Sequence, residues 1–361
     1  MRVRPASVAQ RKRTPASIGV ATAASALLLA AASGPASGTA TTTHATPGRS
    51  CAAAEKLPNR PLRVGVVLSA QPSNPFEGIV YRGLQHAVEE LGIKGRAIVL
   101  GPKETGLASY SYLARQGFDL LVGSGFVSDL EAAALRFPTV CFLSIDGSIA
   151  DFAHRPANLR GTVYRVEQGA YLAGYLAALV EQQQPRRHVI SSIGGTKAPP
   201  VDRFIAGFQA GARKADPTIT LLNGYTNDFE RPASCRRLAL HQIAEGSGVV
   251  FEVAGACGLG ALQAAKEKHV WGIGVDADES FLGPHILTSV LKNLDIALLR
   301  AVKSLQNGTF HTDTDATLSL RNGGVGLGKI SPRVPRPLIL ELRRIQRQLA
   351  HGQLTAPLAS G

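Results

Sequence analysis

The sequence predicts an α/β protein built from two parallel-sheet units in tandem, each within the usual range for one domain of about 100–200 residues. Three observations predict it. Strand-length runs such as LRVGVVLS (62–69) and TVCFLSI (139–145) are continuously apolar rather than alternating, which marks strands covered on both faces. Stretches with helical spacing lie between them, and that alternation implies parallel strands joined by helices. The pattern then restarts near residue 158.

In the first unit, strand 62–69 is followed by a helix over 76–91 and strand-like residues at 96–100. FDLLV (118–122) forms a strand ending at Gly123-Ser124-Gly125, a helix starts near Asp129, and strand 139–145 stops at Asp146-Gly147. In the second unit, 158–166 is extended and 167–181 is helical, with Tyr171/Tyr175 and Leu172/Leu176 at i,i+4 on one apolar face. Strand 188–193 closes at Gly194-Gly195. A helix over 201–214 carries Phe204 and Phe208 on one face, and Gly207 and Gly211 permit close packing. Strands at 219–225, 248–253 and 270–275 alternate with helices at 232–245 and 258–268. A strand at 286–291, a helix at 295–306 and a basic tail helix at 338–349 complete the chain.

Composition excludes several classes of function. The 361 residues carry a net charge of +13, but five of the basic residues fall within the first 40, which hold no acid; the remainder is only +8. No run of Lys and Arg with interleaved aromatics is present, so no nucleic-acid partner is expected. Four widely spaced cysteines make neither a disulfide scaffold, a CxxC redox pair nor a zinc ribbon. Residues 1–40 read as a secretory signal: a basic start from Arg2 to Arg13, a 15-residue apolar run at 18–32, then small residues suited to cleavage. The run falls short of the roughly 20 residues that span a bilayer, although an uncleaved anchor is the alternative. Lipid attachment at Cys51 is a further alternative, disfavoured by Arg49 and by the distance from the apolar run. Residues 41–60 read as a flexible linker, and the body is expected to be exported.

Ligands of open α/β sheets bind beyond the carboxyl ends of the strands. The loops there include 69–76, 123–126, 146–147, 194–200, 226–232, 254–258 and 276–280, and they hold aromatics, acids and glycines but no convergent catalytic set. No phosphate-binding loop, nucleophile elbow or HExxH is present. His188 and His241 read as structural. Asp276 and Asp278 read as hydrogen-bonding acids rather than metal ligands. No metal, cofactor or enzymatic activity is expected. Cys235 opens a helix and Cys257 follows a strand, at loops on one edge of a parallel sheet, so a Cys235–Cys257 bridge is a candidate in an exported protein. Cys141, inside an apolar strand, is expected to be a free, inert thiol.

Six stretches carry a resemblance: PFEGIVYRGLQHA (75–87), VEQGAYLAGYLAAL (166–179), IGGTKAPPVDRFIAGFQAGA (193–212), FEVAGACGLGALQAAKEK (251–268), GIGVDADES (272–280) and ILTSVLKNLDIAL (286–298). In this order and spacing they resemble the basic membrane protein family of ABC-transporter substrate-binding proteins, which includes the purine nucleoside receptor type. The resemblance runs from residue 62 to about 330. It implies a type I periplasmic-binding-protein fold: two Rossmann-like lobes joined by three crossover strands, near 147–160, 289–293 and 310–316. Residues 61–150 with 293–312 would form the first lobe, and 158–290 with 316–361 the second.

The resemblance also implies a small-molecule ligand in the cleft, most plainly a purine nucleoside, held for delivery to an ABC permease by a monomeric protein at the outer face of the cell membrane or secreted. Phe76 and Phe229 match the aromatics that sandwich the base. Gly255 matches a glycine whose backbone approaches the ligand, Asp276 an acid on the ribose, and Lys292 the lysine at the second crossover. Stacking contributes about 1–3 kcal/mol per base and accepts any π-face. Three positions depart from the family pattern: Ser69 and Ser73 stand where aspartates are usual, and Glu77 where an asparagine is. A membrane-anchored sensor of the same fold is the alternative function, and a nucleoside hydrolase is a more remote one.

Overall fold

In the computed structural model, Cys51 and residues 60–101, 104–124, 127–185 and 188–358 are described. All belong to one unit that begins at Pro47. The expected signal at 1–40, most of the linker and loop residues 125 and 126 lie outside the described residues.

The chain runs β1 (Arg63–Leu68), α1 (Pro75–Leu91), β2 (Lys94–Val99), α2 (Gly106–Arg115), β3 (Leu120–Ser124), α3 (Val127–Arg136), β4 (Cys141–Ile145) and β5 (Leu159–Tyr164). It continues through α4 (Val166–Glu181), β6 (Val189–Gly194), α5 (Pro199–Ala215), β7 (Thr220–Tyr225), α6 (Pro232–Ala244), β8 (Val249–Val253) and α7 (Gly258–Glu267). Then follow β9 (Trp271–Asp276), β10 (Ile286–Lys292), α8 (Leu294–Gln306), β11 (Thr314–Leu318), β12 (Val325–Leu327) and α9 (Arg336–Ala350).

Two six-stranded sheets result, ordered β11-β5-β4-β3-β1-β2 and β12-β10-β9-β8-β6-β7. Every strand pairing is parallel except β10 with β12. Helices cover both faces, which is why β3, β4 and β8 are buried along their whole length. The fold is the expected α/β, type I periplasmic-binding-protein architecture.

The boundaries between the sheets differ from those expected. Residues 159–164 form β5, which pairs with β4 (Phe142↔Leu159) and with β11, so the first sheet keeps them and the first crossover falls at Arg165. Residues 314–318 also belong to the first sheet, and the third crossover falls at 319–324. The second crossover, at Asn293, lies within the expected range. Helix α2 and strand β12 were not expected. α2 is a ten-residue helix without a side-chain cap, anchored by buried Tyr110 and Leu113, and β12 has three residues.

The tightest helix pair is α4 against α5. A Cβ on Gly174 would lie 1.8 Å from the carbonyl oxygen of Phe208, and one on Gly211 1.9 Å from that of Tyr171. Glycine at both positions lets the two backbones touch, and this seats α5 over the second sheet.

Cys141 is not a free thiol. It is bonded to Cys51, with Cα atoms 5.1 Å apart. Cys141 is the first residue of β4, so its side chain meets the N-terminal rim of the sheet and the preceding segment can reach it. Asn158 organises that rim: its side-chain amide donates to the carbonyls of Ala134 (3.0 Å), Phe137 (3.0 Å) and Val140 (2.8 Å).

Candidate functional site

The carboxyl ends of both sets of strands gather the polar residues. Lys292 ends β10, an otherwise uncharged strand, and is only 5% exposed. A buried ammonium needs a counter-charge, and Lys292 finds one in the first lobe: its Nζ donates to Oδ2 of Asp146 at 2.5 Å. Asp146 follows β4 in the left-handed region (φ 62°), and its backbone N–H donates to Thr162 Oγ1 at 2.8 Å. Three rings surround the ammonium, with centroids at 5.4 Å (Tyr164), 5.7 Å (Phe76) and 5.9 Å (Phe204), within cation–π range. Phe76 comes from α1, Tyr164 from β5 and Phe204 from α5, so elements of both lobes close on one amine.

Asp276 ends β9 and pairs in register with Leu291, the neighbour of Lys292. It too has a left-handed backbone (φ 63°). Burial pushes its carboxyl up to about 6; Lys292 opposes that shift and Asp146 adds to it. Its Oδ1 is buried with no hydrogen-bond partner among the described residues. An acceptor of this kind, beside a donor ammonium, is complementary to a pair of hydroxyls.

Phe229 lies 41% exposed in the loop between β7 and α6, its ring laid over Gly195. A Cβ at Gly195 would fall 2.3 Å from Phe229 Cε1, so glycine there makes room for the ring. The Phe229 carbonyl accepts from Cys257 N–H at 3.0 Å. Gly255, at φ +56°, occupies the turn beside it. A disulfide joins Cys235 in α6 to Cys257 after that turn, with Cα atoms 5.5 Å apart. Asp228 braces the same loop, accepting from the N–H groups of Glu230 (2.9 Å) and Arg231 (3.0 Å) and from Ser234 Oγ (2.9 Å). Those donors hold its carboxyl well below the usual range.

The structure therefore groups Phe76, Asp276 and Lys292 around one amine, and Phe229 with Gly255 around one turn. α1, which carries Phe76, comes up against the Gly255–Cys257 turn, so the two groups adjoin. Sequence reasoning did not single out Asp146, Tyr164 or Phe204 as site residues. The signal for a partner was the lysine ending an otherwise uncharged strand, and Asp146 already stood at a strand-end loop.

Glu77 does not point outward. It is 3% exposed, and its carboxylate accepts from the backbone N–H of Ser69 (3.1 Å), from Ser69 Oγ, and from Ser124 Oγ (3.3 Å). Burial raises its pKa. Glu77 thus brings a carboxyl from α1 to the carboxyl ends of β1 and β3. In the second lobe, Glu252 and Glu279 form a buried carboxyl pair beneath the Gly255 turn. Burial raises both carboxyls, Glu252 well above the ordinary range and Glu279 to about 7. Among the described residues, no group of three or more His, Cys, Asp or Glu is placed to hold a metal ion, and no helix is long and apolar enough to cross a membrane.

Residues 66–356 match the family model described as ABC transporter substrate-binding protein PnrA-like. Basic membrane protein B of Borrelia garinii subsp. bavariensis is 33% identical over 252 residues, 68% of this chain and 71% of that one. The ABC transporter nucleoside-binding protein BmpA of Lactococcus lactis is 30% identical over 240 residues, 61% of this chain and 66% of that one. Among solved structures, an ABC transporter solute-binding protein of Conexibacter woesei superposes with a TM-score of 0.69 at 24% identity, covering 83% of this chain and all of that one.

Proposed function

The chain belongs to the PnrA-like family of ABC transporter substrate-binding proteins, a family of binding proteins rather than enzymes, and on that premise we propose that its cleft captures a nucleoside outside the membrane for an ABC permease. The observation that carries this reading is the cluster around Lys292. A donor ammonium and an unpartnered acceptor, Asp276, end adjacent strands, with the Phe76 ring 5.7 Å from the amine. A ribose offers vicinal hydroxyls to such a pair, and a base offers a π-face to such rings. The nucleoside-binding relative in Lactococcus lactis supports the same class of ligand.

In this reading Phe76 and Phe229 stack the base from the two lobes, Asp276 and Lys292 hold the ribose, and Gly255 brings backbone close to the ligand. Glu77 supplies the carboxyl that the end of β1 lacks, where Ser69 stands. A buried acceptor on that side favours bases with ring N–H groups, and so a purine of the guanine or hypoxanthine type over adenine. The mature protein acts as an exported monomer.

Calorimetric titration of residues 41–361 with guanosine, inosine, adenosine, cytidine, guanine and ribose tests the reading. Guanosine or inosine is expected to bind tightest, with free base and free ribose weaker. Binding of ribose or another sugar alone, with no nucleoside bound, overturns it.

A further inference from the structure

Arg160 lies on β5, and its guanidinium has a ring for a neighbour but no acceptor. Its Cζ stands 5.5 Å from the centroid of the Phe310 ring. Its Nε is buried without a hydrogen-bond partner, and none of the ion pairs among the described residues includes it. Burial lowers its pKa, as expected for a charge that has lost water without gaining a counter-ion. Asp315, the nearby acid on β11, is engaged elsewhere: its carboxylate accepts from Ser148 Oγ at 2.7 Å and from Ile149 N–H at 2.7 Å.

Arg160 borders a cavity of about 380 Å³ between α8 and strands β5 and β11. A second guanidinium borders the same cavity from α8. Arg300 directs one N–H to the carbonyl of Asn322, in the third crossover, and makes no ion pair among the described residues. Two arginines thus border one concavity; Asp315 borders it as well, with its carboxylate already bonded to Ser148 and Ile149. An uncompensated, half-buried charge is unfavourable until an anion joins it. Arginine forks bind oxyanions through paired N–H···O bonds. One fork satisfies a planar carboxylate, whereas a tetrahedral oxyanion has oxygens for two.

We propose that this cavity, apart from the inter-lobe cleft, is a binding site for a phosphoryl oxyanion, with Arg160 and Arg300 as its ligands. The anion is either free inorganic phosphate or the head of a phosphomonoester. The site adjoins β11 and Asn322, where the chain leaves the first sheet for the second, so its occupancy braces the third crossover.

The test is thermal unfolding and calorimetry at constant ionic strength, with inorganic phosphate in one arm and glycerol phosphate, which has no base, in the other. The wild-type chain is expected to show a saturable rise in melting temperature with at least one probe; a response to phosphate alone assigns the free ion, and a response to glycerol phosphate alone assigns the ester. Arg160→Met and Arg300→Met are each expected to weaken the apparent Kd by about tenfold or more, the loss of one charge-assisted contact. Phe229→Ala, in the cleft, is expected to leave it unchanged. Arg300 is exposed, so its variant remains informative should Arg160→Met fail to fold. No saturable response to either probe, an undiminished affinity in Arg300→Met, or a loss in Phe229→Ala overturns the proposal.

Discussion

Lys292 and Asp146 bond across the two lobes, with Nζ 2.5 Å from Oδ2. Asp146 directly follows β4 of the first sheet, and Lys292 ends β10 of the second, just before the crossover at Asn293. Neither sheet alone holds both halves of this pair, so its geometry depends on how the lobes meet. Domain closure around a ligand is the usual mode of motion for this fold. The pair sits where closure would be felt, beside the unpartnered oxygen of Asp276.

The first prediction concerns that amine. Lys292→Met keeps the aliphatic stem among the Phe76, Tyr164 and Phe204 rings while removing the charge. Nucleoside affinity is expected to fall about 10- to 150-fold, the worth of one charge-assisted hydrogen bond of about 1.5–3 kcal/mol. Alanine is the poorer probe, because the 5%-exposed side chain is packed and its truncation would also leave a void. Titration of the variant with one nucleoside checks this, and unchanged affinity would remove Lys292 from the site.

The second concerns pH. The Asp276 carboxyl is raised from an ordinary 3.8 to about 6 in the folded chain. The folded state therefore binds the proton more tightly than the unfolded one, and the stability it contributes is complete below pH 3.8 and lost as pH rises to about 6. Glu252 and Glu279 titrate nearby, so the comparison is with Asp276→Asn. Denaturant midpoints of the two proteins should diverge across this window, with the wild type losing ground as pH rises. Parallel curves would mean an unperturbed Asp276. Nucleoside affinity should run the other way, weakening below about pH 6 as the acceptor is protonated.

Much of the fold was legible because parallel sheets announce themselves. A strand buried on both faces is apolar along most of its length, as VGVVL (64–68) and VCFL (140–143) are. Gly207 and Gly211 were legible for a similar reason, since two glycines one turn apart on a helix mark a backbone approach. The crossovers were less legible. Residues 159–164 pattern as a strand, but nothing local says which sheet takes them; that depends on pairing with residues 141–145 and with 314–318. The ligand-side residues were readable only in part. A lysine ending ILTSVLK stood out against its strand, whereas Tyr164 and Phe204 look like ordinary core aromatics until the lobes are packed. Cys51 sits in a stretch with no periodicity, so its bond to Cys141 had no local signature.

The third prediction follows from that bond. All four cysteines are paired, Cys51–Cys141 and Cys235–Cys257. The sulfur of Cys51 is then not available to carry a lipid. Intact mass of the exported protein before and after reduction should differ by four hydrogens, with no acyl mass on Cys51. A diacylglycerol adduct there would contradict it. The bridge spanning 90 residues should also stabilise more than the one spanning 22, by the loop-entropy estimate about 4–5 against about 3 kcal/mol. Paired Cys→Ser variants, each compared by chemical denaturation, give that order.

The last prediction separates stacking from hydrogen bonding. Phe229 is 41% exposed, and it rests on Gly195 rather than in either core. Its loop is held by other means: the Cys235–Cys257 bond, the Cys257 N–H to the Phe229 carbonyl, and the Asp228 carboxylate over the start of α6. Phe229→Ala should therefore leave the melting temperature nearly unchanged, because the backbone loses none of these restraints. Ligand affinity should drop by about 1–3 kcal/mol, the worth of one stacked base. The drop should be alike for every nucleoside that binds and also present for a free base, because a π-face is common to all of them. Asp276→Asn should behave oppositely, weakening nucleosides while leaving a free base nearly unaffected, since a base has no ribose hydroxyls to lose. The two variants titrated against one nucleoside and its base give four affinities. A Phe229 variant that spares the base would remove stacking from the site, and an Asp276 variant that weakens both equally would move that carboxyl from the ribose to the base.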